Sequence, residues 1–148
     1  MADCPGGHYQ RRLESTLHHR ERGRGEEVEG HIQEALRLSP RDTRAYLWFM
    51  FVGMGKLTTN ADHEAVDWFR RSVEANPNQA LSHFHFAAAL ALVGDLREAR
   101  SSAEAGLALD HSFTIRRYRV NAKSDNAIYL ARRERFYEGM RIAGVPEG

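Results

Sequence analysis

Eight histidines, one cysteine and a run of arginines are the residues whose chemistry asks to be tested first. Two imidazoles bind metal from one helix when they share a face, which i,i+4 spacing provides. His18 and His19 are adjacent, and His83 and His85 are two apart, so neither pair meets that condition. Carboxylates and thiols at ligand spacing are missing beside them. His63 and Glu64 stand at an expected helix start, where first-turn polarity explains both. We expect no metal and no cofactor. Cys4 lies in a stretch with Gly and Pro, and a lone cysteine makes no internal disulfide. Nucleophile–base pairs, paired carboxylates and phosphate-cradling loops are also missing. The Gly-X-Gly steps at 23–25 and 53–55 lack the third glycine and the preceding strand of a nucleotide fingerprint. The expectation is that this chain is not an enzyme.

The arginines offer a different chemistry. From Ile115 to Arg135, seven cations (Arg116, Arg117, Arg119, Lys123, Arg132, Arg133, Arg135) face two carboxylates, Asp125 and Glu134. With Tyr118 and Tyr129 close by, such a stretch can touch nucleic acid or an acidic protein. The whole chain carries a net charge of only +1, which weighs against nucleic acid. A solvated face, bridged to Glu98 or Glu104 on the preceding helix, explains the cluster more simply.

The elements that must position these groups are helices. The 148 residues suit one domain, and 42% apolar with 28% charged residues suits a folded, water-facing chain. No secretory signal is visible in Met1–Gln10, and the run Ala45–Gly55 is short of the roughly 20 residues a membrane helix needs. A cytoplasmic protein is the expectation. Period-two alternation is lacking, and helix signals recur throughout. The pattern predicts helices over 10–22 and 26–38, the second ended by Ser39-Pro40. Asp42 is placed as N-cap of a helix to about Lys56 that is apolar almost all round and is therefore expected to be buried on more than one side. Helices over 62–75, 79–93 (capped by Asn78), 96–109, 114–120 and 125–142 follow, with turns at 58–60 and 94–95. Gly144 and Pro146 end the last one.

Two stretches coincide at a spacing of 34 residues: Ala65, Phe69, Ser72 and Pro77 fall on Ala99, Ala103, Gly106 and His111. Small residues at fixed offsets let paired antiparallel helices approach closely and stack as a solenoid. The chain resembles the tetratricopeptide repeat family. The best-matched unit runs from Ala80 to Phe113 through Phe86, Ala87, Leu90, Gly94, Ala99, Ala103, Gly106 and Leu107. The unit before it matches through Gly53, Ala65, Phe69 and Pro77, with about three extra residues between Pro40 and Pro77. A degenerate unit is traced upstream through Gly23, Val28, Ile32, Ala35 and Pro40. A narrower resemblance is carried by EALRLSPRD (34–42), WFRRSVEANPN (68–78), FAAALALVGDLREAR (86–100), GLALD (106–110) and the tail from Ser124 to Gly148. These look like the C-terminal segment of rhizobial and other alphaproteobacterial proteins in which such repeats follow a class III cyclase or a winged-helix regulator domain. That resemblance implies a sensor or coupling module without cyclase activity, either free-standing or part of a longer protein.

The fold class expected is all-α: a flexible stretch over 1–9, repeat helices over 10–123, and a C-terminal capping helix and tail over 124–148. The cap is expected to dock on the helix Leu96–Leu109 with its arginines outward. By the phasing of such repeats, the first helices of the pairs line a concave face carrying Leu47, Phe51, Met54, Leu81, Phe84 and Ala88. A protein or peptide partner, or a second copy of the chain, would dock there. The same six residues are core if another helix covers them. The family's clamp for peptide carboxylates would need polar groups where Leu47, Phe51, Phe84 and Ala88 stand, so that use is not expected. The leading functional expectation is a non-enzymatic protein-interaction module. The alternatives are a small-molecule or acyl-chain binder in the apolar groove and an accessory nucleic-acid binder using the C-terminal arginines.

Overall fold

The computed structural model describes residues 26–122 and 124–148. All regular structure among them is helical, and no strand occurs. The described residues divide at Pro40 into two units, the second spanning Arg41–Gly148. In the first, α1 covers residues 26–38, with Ile32 buried, Leu36 half-buried, and Val28 and Ala35 exposed. Arg37 and Glu34 pair across one turn at 2.7 Å. The expected helix over 10–22 and the flexible stretch over 1–9 lie outside the described residues.

The second unit holds α2 (Ala45–Thr58), α3 (Asp62–Ala75), α4 (Ala80–Leu92), α5 (Leu96–Leu109), α6 (Ile115–Val120) and α7 (Ala127–Ile142). The 34-residue spacing is written into the backbone. α3 and α5 start and stop 34 residues apart. The residue before each has nearly the same conformation, Ala61 at φ −88°, ψ 61° and Asp95 at φ −83°, ψ 72°. The residue after each repeats too, Asn76 at φ −147°, ψ 90° and Asp110 at φ −135°, ψ 91°. Both of those side chains accept a hydrogen bond from the amide two residues on, Asn78 and Ser112 respectively. The Asx turn thus does at both sites what the sequence assigned to proline at one of them.

The turns inside the pairs also match. After α2 and α4 the chain passes through a left-handed residue, Asn60 (φ 63°) and Gly94 (φ 90°). The amides of Ala61 and Asp95 then reach back to the carbonyls of Lys56 and Leu90 at 2.9 and 3.0 Å. This is the Schellman closure, which satisfies carbonyls that a helix end would otherwise leave open. α7 ends in the same way through Gly144 (φ 92°) and the Val145 amide on the Met140 carbonyl.

Three helices carry side-chain caps. Asp95, Thr114 and Asn126 accept from the first-turn amides of α5, α6 and α7. Asp42 and Asn78 do not cap. α2 begins at Ala45 and α4 at Ala80, neither with a side-chain cap. Asp42 instead turns the loop, accepting from the Arg44 amide at 2.8 Å and the Trp48 indole at 3.4 Å. The extra residues after Pro40 therefore sit mainly in the loop before α2.

Packing centres on α4. Every residue from Ser82 to Ala91 is buried, between α3, α5 and α7. α2, the helix expected to be buried on several sides, hides only Met50, Val52, Gly53 and Leu57. The polar residues of α4 are used inside the molecule. Ser82 Oγ lies 2.9 Å from Ser72 Oγ, and the Ser72 hydroxyl also lies 2.8 Å from the Tyr46 carbonyl. His83 Nε2 is 2.8 Å from the Pro77 carbonyl. Ala65, Phe69 and Ala99 are fully buried, as the repeat requires. Phe69 lies so close to Gly53 that a β-carbon there would stand 2.7 Å from its ring, and Gly106 gives the same room to Phe84.

Candidate interaction surface

α7 packs along α4 and touches α2 and α6; it does not pack along α5 as the sequence suggested. Two features direct it there. At Gly139 the backbones of α7 and α4 meet, and a β-carbon would stand 2.5 Å from the Ala88 carbonyl oxygen. Next to that crossing, aromatic rings interlock. His85 lies 5.6 Å from Phe69, 5.7 Å from Tyr118 and 5.3 Å from Phe136, centroid to centroid. Tyr118 meets Tyr137 edge-on at 5.9 Å. Phe136, Tyr137 and Met140 are fully buried, each worth about 1.5–3 kcal/mol on burial. The small residues Ala99, Ala103 and Gly106 of α5 are buried too, while Leu96 at its start is exposed. The tail after α7 returns to α6, where the amides of Ile115 and Arg116 donate to the carbonyls of Pro146 and Glu147, both at 2.9 Å.

The six residues placed on the concave face divide accordingly. Phe84 and Ala88 are fully buried. Leu81 is partly buried against the core. Phe84 faces Gly106 and stacks on Phe113 at 3.9 Å, so it belongs to the contact within the helix pair. At 34-residue spacing its counterpart is Met50, which is buried; the counterpart of Phe51 is His85. On α2, Leu47 and Met54 are half-buried and Phe51 is 52% exposed. One edge of the face is open, and the other is covered by α7.

A cleft of about 320 Å³ adjoins the open edge. Met54 and Thr58 of α2, Tyr118 of α6, and Asn126, Ile128, Tyr129, Arg132, Arg133 and Phe136 at the start of α7 line it. Arg133 is 8% exposed. Its Nε donates to the Tyr137 hydroxyl at 2.7 Å, one terminal nitrogen to the Tyr129 hydroxyl at 3.1 Å, and the other to the Tyr118 carbonyl at 3.3 Å. The guanidinium also lies 4.6 Å from the Tyr118 ring centroid. This arginine was expected to point outward. The sequence does hold the signal for its burial, because Tyr129, Arg133 and Tyr137 follow at i,i+4 steps on one helical face.

Two other arginines of the basic run, Arg135 and Arg119, pair with carboxylates of the chain. Arg135 makes a two-pronged pair with Asp62, both bonds 2.8 Å, and donates to the Leu57 carbonyl. Arg119 bonds Glu134 at 2.6 Å and lies over the Tyr137 ring. Glu98, proposed as a partner for this run, pairs with Arg70 instead. Lys123 lies outside the described residues.

His85 shares a 2.8 Å hydrogen bond with the Tyr118 hydroxyl, while its Nδ1 has no partner. Burial, and then the nearby Arg133 charge, push its imidazole down to about 3. Burial pushes the Tyr118 phenol up to about 12. Both are therefore neutral at physiological pH. Among the described residues no group of three His, Cys, Asp or Glu side chains comes together to hold a metal. No helix there is long and apolar enough to cross a membrane.

No family model, no curated protein and no solved structure matches this chain.

Proposed function

We propose that the chain is a non-enzymatic protein-interaction module of tetratricopeptide-repeat type. The observation that carries the reading is the contrast between positions 51 and 85. α7 lays a helix against α4 over His85, and the equivalent side of α2 keeps Phe51 exposed. The partner fitting that edge is an amphipathic helix, from another protein or a second copy, seated beside α2 as α7 is seated beside α4. Large exposed apolar side chains grouped in one place mark contact surfaces more often than scattered ones do. Leu47 and Met54 flank Phe51 on the same helical face, and Ile128 is exposed at the cleft that Met54 lines. A cytoplasmic location, expected from the sequence, and a coupling role within a signalling protein, implied by the resemblance, belong to this reading.

A photo-crosslinking residue at Gly55 tests it, because that position is exposed with open space around its β-carbon. Irradiation in the producing cell should give one discrete protein adduct, heteromeric or dimeric. Phe51→Asp in the same chain should abolish the adduct and leave the circular dichroism unchanged. An adduct that survives Phe51→Asp, or none at all, would remove α2 as the docking edge.

A further inference from the structure

We propose that the cleft between α2 and the start of α7 binds a small organic carboxylate with an apolar body, with Arg133 as its charge partner. The inference goes beyond protein docking: it shares Met54 and Ile128 with that edge but rests on Arg133. It begins with the charge balance of three neighbouring arginines. Arg119 has Glu134 and Arg135 has Asp62. Arg133, the most buried of the three, has only phenol and carbonyl oxygens, and no carboxylate among the described residues. A buried guanidinium without a counter-charge is costly, and tyrosine hydroxyls offset only part of that cost. Its three hydrogen bonds use three of five N–H donors, leaving one on each terminal nitrogen. A carboxylate is the acceptor that such charged N–H donors bind most strongly.

The surroundings favour the same ligand. The positive end of the α7 dipole opens on the cleft. Asn126 already caps the first amides of α7, so the anion would be held by Arg133 and not by free backbone N–H groups. Met54, Ile128 and Phe136 supply an apolar wall. A volume of about 320 Å³ is at the small end of ligand sites and suits a small molecule.

Phenylacetate and octanoate, each compared with its neutral primary amide, test the site on the full chain. The readout is the methyl NMR signals of Met54 and Ile128. The carboxylates should shift both signals, and the amides should bind about ten- to a hundredfold more weakly, the worth of a charged hydrogen-bond pair. Arg133→Gln should lose binding by a similar factor. Ile128→Trp, at a position 64% exposed, should block the cleft without disturbing the fold. If Arg133→Gln fails to fold, the amide comparison and Ile128→Trp still decide. Unmoved methyl signals at millimolar carboxylate, equal binding of acid and amide, or unimpaired binding to Ile128→Trp would each overturn the proposal.

Discussion

Phe51 and His85 hold the same place in successive helix pairs, and their surroundings are opposite. Phe51 is half open to water; His85 is 1% exposed beneath α7, hydrogen-bonded to Tyr118 and ringed by Phe69 and Phe136. Residue polarity would have placed them the other way round. The difference comes from what each helix lets approach. One turn beyond His85 stands Ala88, which with Gly139 allows α7 to come to backbone contact. One turn beyond Phe51 stands Met54, too bulky for the same crossing, and it lines a cleft instead. A repeat can thus keep its backbone frame while a single small-for-large exchange decides whether its face is core or surface.

Removing α7 should break that contrast most severely. Deleting residues 124–148 uncovers His85 and Ala88, and takes away the buried Phe136, Tyr137 and Met140. We expect the truncated chain to lose cooperative unfolding in denaturant, read by circular dichroism. A truncated chain with an unchanged midpoint would mean that α7 is a detachable arm.

The backbone crossing can be tested at one atom. Gly139→Ala forces a β-carbon against the Ala88 carbonyl and should destabilise by about 1–3 kcal/mol or more. Gly55→Ala, on the open side of α2, meets nothing within 4 Å and should stabilise by about 0.5–1 kcal/mol through helix propensity. Urea titrations giving the two variants the same sign would contradict the assignment of covered and open sides.

A smaller effect is expected from acid. The His85 imidazole is pushed down from 6.5 to about 3 in the fold, so the unfolded chain takes up its proton first. The stability this neutral histidine contributes is complete above about pH 6.5 and is lost as pH falls toward 3. The effect amounts to a few kcal/mol at most. His85→Phe, which copies the residue at position 51, should flatten that part of the pH–stability curve. If it leaves the curve unchanged, His85 is not the group that titrates.

Much of this architecture was legible in the residues. The helix order, the 34-residue spacing, and Gly94 and Gly144 as stops are all local features. Each depends on a few neighbouring side chains and the backbone angles they permit. The candidate face was less legible because it depends on rotation about a helix axis. Taking Phe84 in place of His85 as the partner of Phe51 is an error of one residue, or about 100°. The docking of α7 was not readable from hydrophobicity alone. Its direction rests on a glycine–alanine crossing and on tyrosines that enclose Arg133, where charge alone predicted an outward arginine.

Thiol labelling tests the central claim most directly. In a Cys4→Ser background, Phe51→Cys and His85→Cys place one cysteine at each of the two equivalent positions. The covered-and-open arrangement predicts that a thiol reagent modifies position 51 at close to the rate of a free thiol. Position 85 should react only as fast as the chain opens, and at the free rate in denaturant. Equal labelling at 51 and 85 in the folded protein would contradict it.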